Sequence, residues 1–412
     1  MKLLKLSSYY APELISSTHL SRDLEAAYLE AGITIDVYCP TPTRGVSAEV
    51  RKKYKKIKYE EMQDGKVIVH RFAMFREGKN PIQRALRYGL VNIAQYRKGS
   101  HAEEIDVIMA GSTPPTQGVL CGKVAKKLSK RYKKKVPFVY NLQDVFPDSL
   151  VTTGLTKRGS LIWKIGRKIE NYTYNAADHI IVISESMKRN IMEKGVPEDK
   201  ITVVSNWIDV ENTKPVDRAD NKLYEEFGIS RDKFTVLYAG NFGKAQGADV
   251  VFRAAEILKD NDDTQFVIFG GGSGFEAAKK TVEEKGLTNV IINKLLPQER
   301  VPEVYSLGDV ALITCKKGVG NSGMPSKTWS IMACDTPIVA SFDTDSELAE
   351  ILSVSGAGVC VEPEDEGALV SAILSVKDGG AGIKGGRDYV CKNASKDVCV
   401  PKYVEILKGS VK

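Results

Sequence analysis

The sequence predicts an α/β protein made of two domains, each built around a parallel sheet. The chain has 412 residues, and a single hydrophobic core rarely organises that many, so two domains of about 200 residues each are expected. Short apolar runs of strand length alternate with longer amphipathic runs, as in βα units. The composition, with 42% hydrophobic and 27% charged residues, is typical of a folded globular protein.

The first half repeats the βα unit in order. The first helical pattern spans 18–32, with Leu20, Leu24 and Tyr28 at helical spacing and Gly32 at the position of a C-cap. Strand-like runs recur at 2–8, 33–40, 66–72, 106–114, 135–149, 178–184 and 200–209. Ligands bind at the carboxyl ends of strands in parallel sheets, so the loop 7–18 is a candidate rim of a site.

The charge is uneven along the chain. Residues 1–200 contain 35 Lys and Arg against 21 Asp and Glu, whereas the remainder contains 24 against 31. A basic half indicates contact with an anionic surface. Nucleic acid is not expected as the partner, because few aromatics are interleaved with the charges and no recognition motif occurs.

A predicted helix at 80–99 combines an apolar stripe with several cations. The stripe consists of Ile82, Leu86, Leu90 and Ile93, and the cations elsewhere on its surface are Arg84, Arg87, Arg97 and Lys98. A basic helix of this kind is typical of a peripheral protein on an anionic membrane. A helix that packs its stripe into the core explains the pattern equally well. A second basic run, 126–135, is interpreted as the solvated end of a helix.

The second half begins after a polar stretch, 212–221, and we place the interdomain linker there or just before it. Strand-like runs follow at 234–240, 264–272, 289–295, 309–315, 336–341 and 358–363. Glycine-rich loops end the first two, and such loops allow close approach of the main chain to a diphosphate. The second loop, FGGGSGF, has Phe275 in place of the third glycine of the dinucleotide fingerprint, which argues against a nicotinamide or flavin enzyme.

The loop 318–327 and the helix after it are the strongest candidate for an anion site. Pro325 is predicted at the first helical position, where its fixed φ fits, with Lys327 one turn away. Other chemistries lack their motifs: the sequence has no Walker A loop, no G-x-S-x-G elbow and no CxxC, and its four His are not at metal-ligand spacing. We therefore expect no cofactor and no metal.

Five motifs together resemble a known family. In chain order they are YYAPELISSTHLSRDL, NLQDVFPDSL, YAGNFGKAQG, VIFGGGSG and GMPSKTWSIMACDTPIVAS. The pattern is similar to the GT-B glycosyltransferases of family 4, in the fucosamine-transferase-like bacterial branch that builds O-antigen and capsule chains. The resemblance implies two Rossmann-like domains with parallel sheets facing across a cleft, and transfer with retention of the anomeric configuration. It also implies an acceptor-binding domain at 1–205, a nucleotide-sugar-binding domain at 206–397, and a C-terminal helix at 398–412 that crosses back.

The resemblance also suggests roles for particular residues. Lys327 and Lys244 are expected to stabilise the leaving diphosphate, and Asp144 is expected to accept the acceptor's hydroxyl hydrogen or to position the donor sugar. Many family members have two Glu eight residues apart where this chain has Ser322 and Ser330, so the ribose is expected to be held differently. The remaining donor-binding candidates are Gly240, Asn241, Gly243, Gln246, Gly271, Leu295, Asn321, Gly323, Met324, Pro325, Ser326 and Ser330. The acceptor-binding candidates are Glu13, Ser16, Ser17 and Asp148, of which Asp148 serves equally well as a helix cap.

The sequence therefore predicts a cytoplasmic enzyme bound peripherally to the inner membrane face. It would transfer a sugar from a nucleotide-diphosphate donor, a UDP-sugar, to a polyprenyl-diphosphate-linked saccharide. One alternative is a nucleotide-sugar 2-epimerase of the same fold, which would release a free product. Another is a basic protein without catalysis that binds a membrane or nucleic acid.

Overall fold

A computed structural model of the chain describes residues 1–13, 18–78, 80–152, 154–320, 323–379 and 382–411. The chain divides into two compact units, one formed by Met1–Val204 with Val400–Lys412 and the other by Ser205–Cys399. The stretch 212–221, predicted as a linker, instead belongs to the second unit, where the Arg218 guanidinium pairs with Asp309. The boundary between the two units falls after Val204, just before this stretch.

The first unit is organised around one sheet. In the described residues its strand order is β3-β4-β2-β1-β5-β6-β7-β8, and all neighbours are parallel except the β3–β4 pair at the edge. The strands are Lys2–Leu6 (β1), Thr34–Pro40 (β2), Tyr59–Met62 (β3), Val67–Phe72 (β4), Val107–Gly111 (β5), Phe138–Leu142 (β6), His179–Val182 (β7) and Ile201–Val203 (β8). β1 to β8 follow the predicted strand-like runs apart from β3, whose charged sequence gave no signal.

Helices connect these strands as crossovers. They are Thr18–Glu30 (α1), Ala48–Tyr54 (α2), Pro81–Gly99 (α3), Gln117–Tyr132 (α4), Asp148–Thr152 (α5), Leu161–Ala176 (α6) and Glu185–Glu193 (α7), with a 3-10 turn at Glu198–Lys200. α4 packs against both α3 and α6, so the three form neighbouring helices of one layer. Gly122 of α4 allows the close approach to α6, because a Cβ there would lie 2.6 Å from the Ala176 side chain.

The second unit contains a fully parallel sheet in the described part of the chain. Its strand order is β11-β10-β9-β12-β13-β14. The strands are Phe234–Asn241 (β9), Thr264–Gly271 (β10), Val290–Lys294 (β11), Val310–Thr314 (β12), Ile338–Ser341 (β13) and Gly358–Val361 (β14). β10 and β12 are buried along nearly their whole length, as expected for strands covered by helices on both faces.

The helices of the second unit cover both faces of this sheet. They are Leu223–Glu226 (α8), Asp249–Ile257 (α9), Phe275–Glu284 (α10), Val301–Tyr305 (α11), Lys327–Ala333 (α12), Glu347–Ser355 (α13), Glu366–Lys377 (α14) and Arg387–Asn393 (α15), with a 3-10 turn at Gln298–Arg300. The last helix, Lys396–Ser410 (α16), begins in the second unit and continues into the first. There its Tyr403 is fully buried.

Candidate functional site

The loops at the carboxyl edge of the second sheet are joined to one another. β9 and β10 end side by side, with Gly270 opposite Gly240 and Gly271 opposite Asn241. Beyond the strands, main-chain hydrogen bonds link the loops in pairs: Phe242 N to Gly271 O (2.7 Å), Leu295 N to Gly270 O (2.9 Å) and Lys316 N to Ala245 O (3.0 Å). The edge where a ligand of a parallel sheet binds is therefore a connected main-chain surface.

Lys327 extends into this edge from the start of α12. Its Nζ lies 3.3 Å from the Leu312 carbonyl oxygen, 3.4 Å from the Ala239 carbonyl oxygen and 4.3 Å from the centroid of the Tyr238 ring. Gly240 leaves room for the ammonium, since a Cβ there would approach Nζ to 3.3 Å. Two carbonyl dipoles and a π face stabilise a cation only weakly in comparison with a carboxylate.

The ammonium of Lys327 is consequently easy to deprotonate. Burial lowers its pKa from 10.5 to about 7, and the described residues place no carboxylate near enough to oppose that shift. A desolvated amine without a counter-ion gains strongly from a bound anion, because the anion supplies the missing charge. The lysine thus has the properties of a group that awaits an anionic ligand.

Hydrogen bonds to one carboxylate and a close main-chain approach hold the loops near Lys327 in place. Gly318 N and Gly320 N donate to the carboxylate of Asp343, a buried residue just after β13, over 2.9 and 2.6 Å. Gly247 has a φ of +56°, and a Cβ there would lie 2.8 Å from the main chain of Cys315. Glycine is needed at this position for both its backbone conformation and its lack of a side chain.

The structure gathers most predicted donor-binding residues at this edge. Gly240, Asn241, Gly243, Gln246, Gly271 and Leu295 lie there, Gly323, Met324 and Ser326 lie just before α12, and Ser330 lies one turn inside that helix. The main chain of Gln246 is held in place because its main-chain carbonyl oxygen accepts a hydrogen bond from Thr314 Oγ1 at 2.7 Å. Lys244 is exposed on the loop after β9. Asn321 and Ser322 lie outside the described residues.

Pro325 is not at the first helical position, and that prediction is wrong. α12 begins at Lys327, with Ser326 as its N-cap and Pro325 one residue earlier. The Pro325 carbonyl oxygen accepts from Thr328 N at 3.0 Å, so the proline forms part of the turn that leads into the helix. The lysine itself is therefore the first residue of α12, closer to the loop than the sequence suggested.

Glu13 in the first unit is a buried residue rather than an exposed ligand. Its Oε1 accepts from Thr43 N at 2.6 Å and from Arg44 N at 2.9 Å, and its Oε2 accepts from Tyr10 N at 3.3 Å. These bonds hold the loop after β2 against the loop after β1. The other two predicted acceptor residues from this loop, Ser16 and Ser17, lie outside the described residues.

The two aspartates after β6 have different surroundings. Asp148 begins α5, and its Oδ2 accepts from Lys194 Nζ at 2.7 Å and from Asn190 Nδ2 at 3.3 Å. Burial favours a raised pKa for Asp148, but the pairing with Lys194 brings the pKa below its usual value. Asp148 is thus occupied by a structural ion pair, which makes it a weaker candidate for acceptor binding.

Asp144 is the more available of the two carboxylates. The residue is exposed, yet the protein around its carboxyl raises the pKa by desolvation, and a hydrogen bond with Ser149 offsets part of that rise. It follows β6 at the carboxyl edge of the first sheet, as predicted. A raised pKa brings a carboxylate closer to the range in which it works as a general base near neutral pH.

An exposed apolar and basic surface extends over α3, α4 and α6. On α3 the exposed fractions of Leu86, Leu90 and Ile93 are 59%, 41% and 51%. The stripe predicted on this helix therefore faces outward, and the alternative of core packing is wrong for these three residues. Arg87, predicted on the surface, is instead fully buried, because the inward face of α3 is formed by Arg87, Val91 and Gln95.

The same surface continues across the neighbouring helices. α4 contributes exposed lysines, and Lys127 Nζ lies 5.3 Å from the centroid of the Tyr96 ring on α3. On α6 the exposed apolar residues are Leu161, Ile162, Ile165 and Tyr172. We call these parts of α3, α4 and α6 the helical face. In the described part of the chain, no helix has both the length and the apolar character needed to span a membrane.

Comparison with known families identifies the chain. The family described as "Glycosyltransferase Family 4" matches residues 19–212, and the family described as "Glycosyl transferases group 1" matches residues 220–396. The chain belongs to the glycosyltransferases of family 4. The two matches meet between 212 and 220, close to the boundary between the compact units.

Several relatives of this family 4 glycosyltransferase cover most of its length. The glycosyltransferase WbjE of Pseudomonas aeruginosa is 27% identical over 82% of the chain and 83% of its own length. WcaI of Escherichia coli K12, named as a glycosyl transferase of colanic acid biosynthesis, is 28% identical over 66% of the chain and 67% of its own length.

Solved structures show that this family 4 glycosyltransferase has the GT-B fold. Sucrose-phosphate synthase from Thermosynechococcus elongatus matches with a TM-score of 0.74 at 16% identity, covering 99% of this chain and 98% of that one. HepE from Anabaena, solved in complex with UDP and glucose, matches with a TM-score of 0.69 at 15% identity, covering 99% of each chain.

The sequence did not reveal every residue that shapes the donor side of this family 4 glycosyltransferase. Tyr238 underlies the ammonium of Lys327, and Asp343 holds the loop that precedes it. Tyr238 gave no signal because it lies inside an apolar strand pattern. Asp343 follows a predicted strand at the ligand-binding edge, and that position could have identified it.

Proposed function

We propose that the second unit binds a nucleotide-diphosphate sugar, a UDP-sugar, at the loop edge around Lys327. The observation that carries this proposal is the partly buried ammonium with no carboxylate partner among the described residues, beside strands that end in glycine. An ammonium and close main-chain N–H groups are the protein groups that suit a diphosphate. The HepE structures that contain UDP support this choice of nucleotide.

The proposed chemistry is electrostatic. Cleavage of the sugar–phosphate bond leaves an additional negative charge on the departing diphosphate, and Lys327 would stabilise that charge. Because its pKa is about 7 without a ligand, binding of the donor would draw a proton onto the amine and fix it in the charged state. Lys244 would add a second positive charge from the exposed loop after β9. We propose that the reaction proceeds without a metal ion.

We propose that the first unit receives the acceptor, with Asp144 taking the hydrogen of the attacking hydroxyl. Its raised pKa and its position after β6 support this role. The transferred sugar would retain its anomeric configuration, as the family resemblance implies.

The acceptor proposed here is a lipid-linked saccharide in surface polysaccharide biosynthesis. The helical face supports a membrane location, since exposed aliphatic side chains flank exposed lysines on adjacent helices. WcaI, named for colanic acid biosynthesis, supports the polysaccharide context. The protein would bind peripherally to the cytoplasmic face of the inner membrane.

One experiment separates this function from its alternatives. Purified protein is incubated with a radiolabelled UDP-sugar and bacterial lipid extract, and the label is followed into organic solvent, free sugar or unreacted donor. We expect label in the lipid fraction, with a product whose anomeric NMR coupling matches the donor. Release of a free epimerised sugar would favour an epimerase, and an unchanged donor across a panel of sugar nucleotides would refute catalysis.

A further inference from the structure

Three arginines surround one carboxylate in the first unit. The Glu77 carboxylate oxygens lie 3.0 Å from Arg84 Nε, 3.2 Å from Arg44 NH2 and 3.8 Å from Arg87 NH1. The Tyr9 hydroxyl donates to Glu77 Oε2 over 2.7 Å. We call Tyr9, Arg44, Glu77, Arg84 and Arg87 the arginine cluster.

The charges in the arginine cluster do not balance. Guanidinium groups stay protonated at all physiological pH values, so three positive charges face a single negative one. The next carboxylate, Glu13, lies beyond Thr43, and its oxygens are already bonded to the main chain. Around the fully buried Arg87 guanidinium an excess of like charge is unfavourable, and a second anion would relieve it.

Arg87 has a donor that no described residue satisfies. The side chain is fully buried, its Nε donates to the Phe75 carbonyl oxygen over 3.2 Å, and its NH2 donates to Thr43 Oγ1 over 3.4 Å. Within the described residues its NH1 has no hydrogen-bond acceptor. Buried donors normally have an acceptor, so the open NH1 points to an absent one. Arg44 and Arg84 are 42% and 40% exposed, so an anion can reach the cluster.

The position of the cluster matches a ligand site at the membrane. Tyr9, Arg44 and Glu77 follow β1, β2 and β4, so the cluster lies at the carboxyl edge of the sheet, where ligands bind. Arg84 and Arg87 belong to α3, whose outer side carries the exposed Leu86, Leu90 and Ile93 of the helical face. One helix therefore presents aliphatic groups outward and arginines toward the sheet.

We propose that the arginine cluster binds the phosphate groups of a lipid-linked diphosphate. This inference rests on the proposed function, for which such a lipid is the acceptor. The planar guanidinium fork pairs with two phosphate oxygens at once, and neighbouring arginines suit the two phosphates of a diphosphate. Glu77 orients the guanidinium groups and keeps them apart from one another before the anion arrives.

The first test measures binding of inorganic diphosphate by isothermal titration calorimetry. All proteins carry Lys327→Met, so that the probe is not bound by that lysine. We expect Arg44→Gln with Arg84→Gln to weaken binding at least about tenfold, and the matched control, Lys52→Gln with Lys56→Gln, to change it less than about twofold. Equal weakening in the control, or no binding by the parent, would overturn the proposal.

A second variant tests the excess of positive charge. Glu77→Gln preserves the shape of the side chain and removes the competing anion, so inorganic diphosphate should bind several times more tightly. Weaker binding by a variant whose melting temperature is unchanged would show that the cluster does not lack an anion.

A third arm separates a lipid headgroup from a free phosphate. Neutral phospholipid vesicles are prepared with and without polyprenyl diphosphate, and sedimentation measures the bound protein. We expect the diphosphate lipid to increase binding in the parent protein but not in the Arg44→Gln and Arg84→Gln variant. If free diphosphate binds at the arginines while the lipid adds nothing, the lipid assignment is overturned. Failure of the proposed function is distinguishable, because the label assay would show no transfer while arginine-dependent binding persisted.

Discussion

The two units stabilise buried positive charge in different ways. In the second unit Lys327 contacts two carbonyl oxygens and an aromatic ring, and burial lowers its pKa to about 7. In the first unit the guanidinium of Arg87 is fully buried, but Glu77 lies nearby and the arginine cannot release its proton. The first arrangement gives a charge that depends on the ligand, and the second gives a permanent charge. Replacing charged groups in the two units, and varying the pH, tests this difference.

The largest effect is expected from Lys327→Met. Removing the ammonium should lower kcat/KM for the donor by about 10²–10³-fold, because a preorganised group that stabilises developing charge contributes that much. Steady-state kinetics with a fixed acceptor measures the loss. The matched control is Lys244→Met, which removes an exposed lysine of the same edge and should cost less than about tenfold. Equal losses of kcat/KM in the two variants would show that Lys327 contributes no more to the reaction than an exposed lysine does.

Replacing Glu13, a buried carboxylate whose oxygens already accept hydrogen bonds, should instead destabilise the folded protein. Glu13→Gln leaves main-chain donors of Thr43 and Arg44 with a poorer acceptor, so the free energy of unfolding should fall by about 1–3 kcal/mol. Urea denaturation followed by circular dichroism measures the change. Lys327→Met is the comparison, and its unfolding free energy should not decrease. A stable Glu13→Gln protein with lost acceptor binding would mean that Glu13 contacts the acceptor.

Donor binding should depend on pH, because the lysine at the donor site can lose its proton. Above about pH 7 the free Lys327 loses its proton, and the bound anion restores it, so Kd should rise by up to about tenfold per pH unit. Titration of UDP between pH 6.5 and about 9 would show this slope, and Lys327→Met should remove it. A flat profile in the parent would contradict the assignment of Lys327 to the diphosphate.

The lowered pKa of Lys327 also makes the stability of the folded protein depend on pH. Lys327 titrates near 10.5 when unfolded and near 7 when folded. Between these values the unfolded chain holds more protons, so this residue makes the folded state more stable as the pH rises from about 7 to about 10.5. The contribution of Lys327 to folding stability is least favourable below pH 7, because the lysine is then charged in both the folded and the unfolded chain.

The smallest effect is expected on the helical face. Leu86→Ser should weaken binding to anionic vesicles by about threefold to tenfold, since one exposed aliphatic group would no longer enter the lipid. Cosedimentation measures the partition coefficient. Val354→Ser is the matched control, an equally simple change at an exposed position of the second unit, and should leave binding unaltered. Equal effects would exclude α3 from the membrane contact.

Much of the fold followed from the sequence because βα units have two clear periodicities. The apolar runs that gave β9, β10 and β12 are buried on both sides, so they carried an unbroken hydrophobic signal. β3 was missed because its residues, YEEM, lie at a sheet edge, include two charged side chains and are none of them buried. The start of α12 was misplaced because the proline serves a turn before the helix, and a pattern of residue types does not distinguish the two positions.

The candidate site was predicted only in part, because its key features depend on three-dimensional proximity. The sequence identified Lys327 but did not show that the described residues around it include no carboxylate partner, because that depends on the three-dimensional arrangement. It also placed Arg87 on the surface, because helical periodicity identifies opposite faces of α3 without stating which one is buried. The arginine cluster joins positions 9, 44 and 77 to positions 84 and 87 of α3, and no local pattern connects residues so far apart in the chain.

The linked loops at the edge of the second sheet have a consequence for how sugar preference can diverge. Main-chain bonds link the loops after β9, β10 and β12, and the side chains of Thr314 and Asp343 add to them. A side chain that projects from these loops without holding them, such as the exposed Leu295, can therefore be exchanged without moving the peptide groups beneath. A scaffold of this kind lets new specificities arise by single substitutions while the machinery common to all donors stays intact.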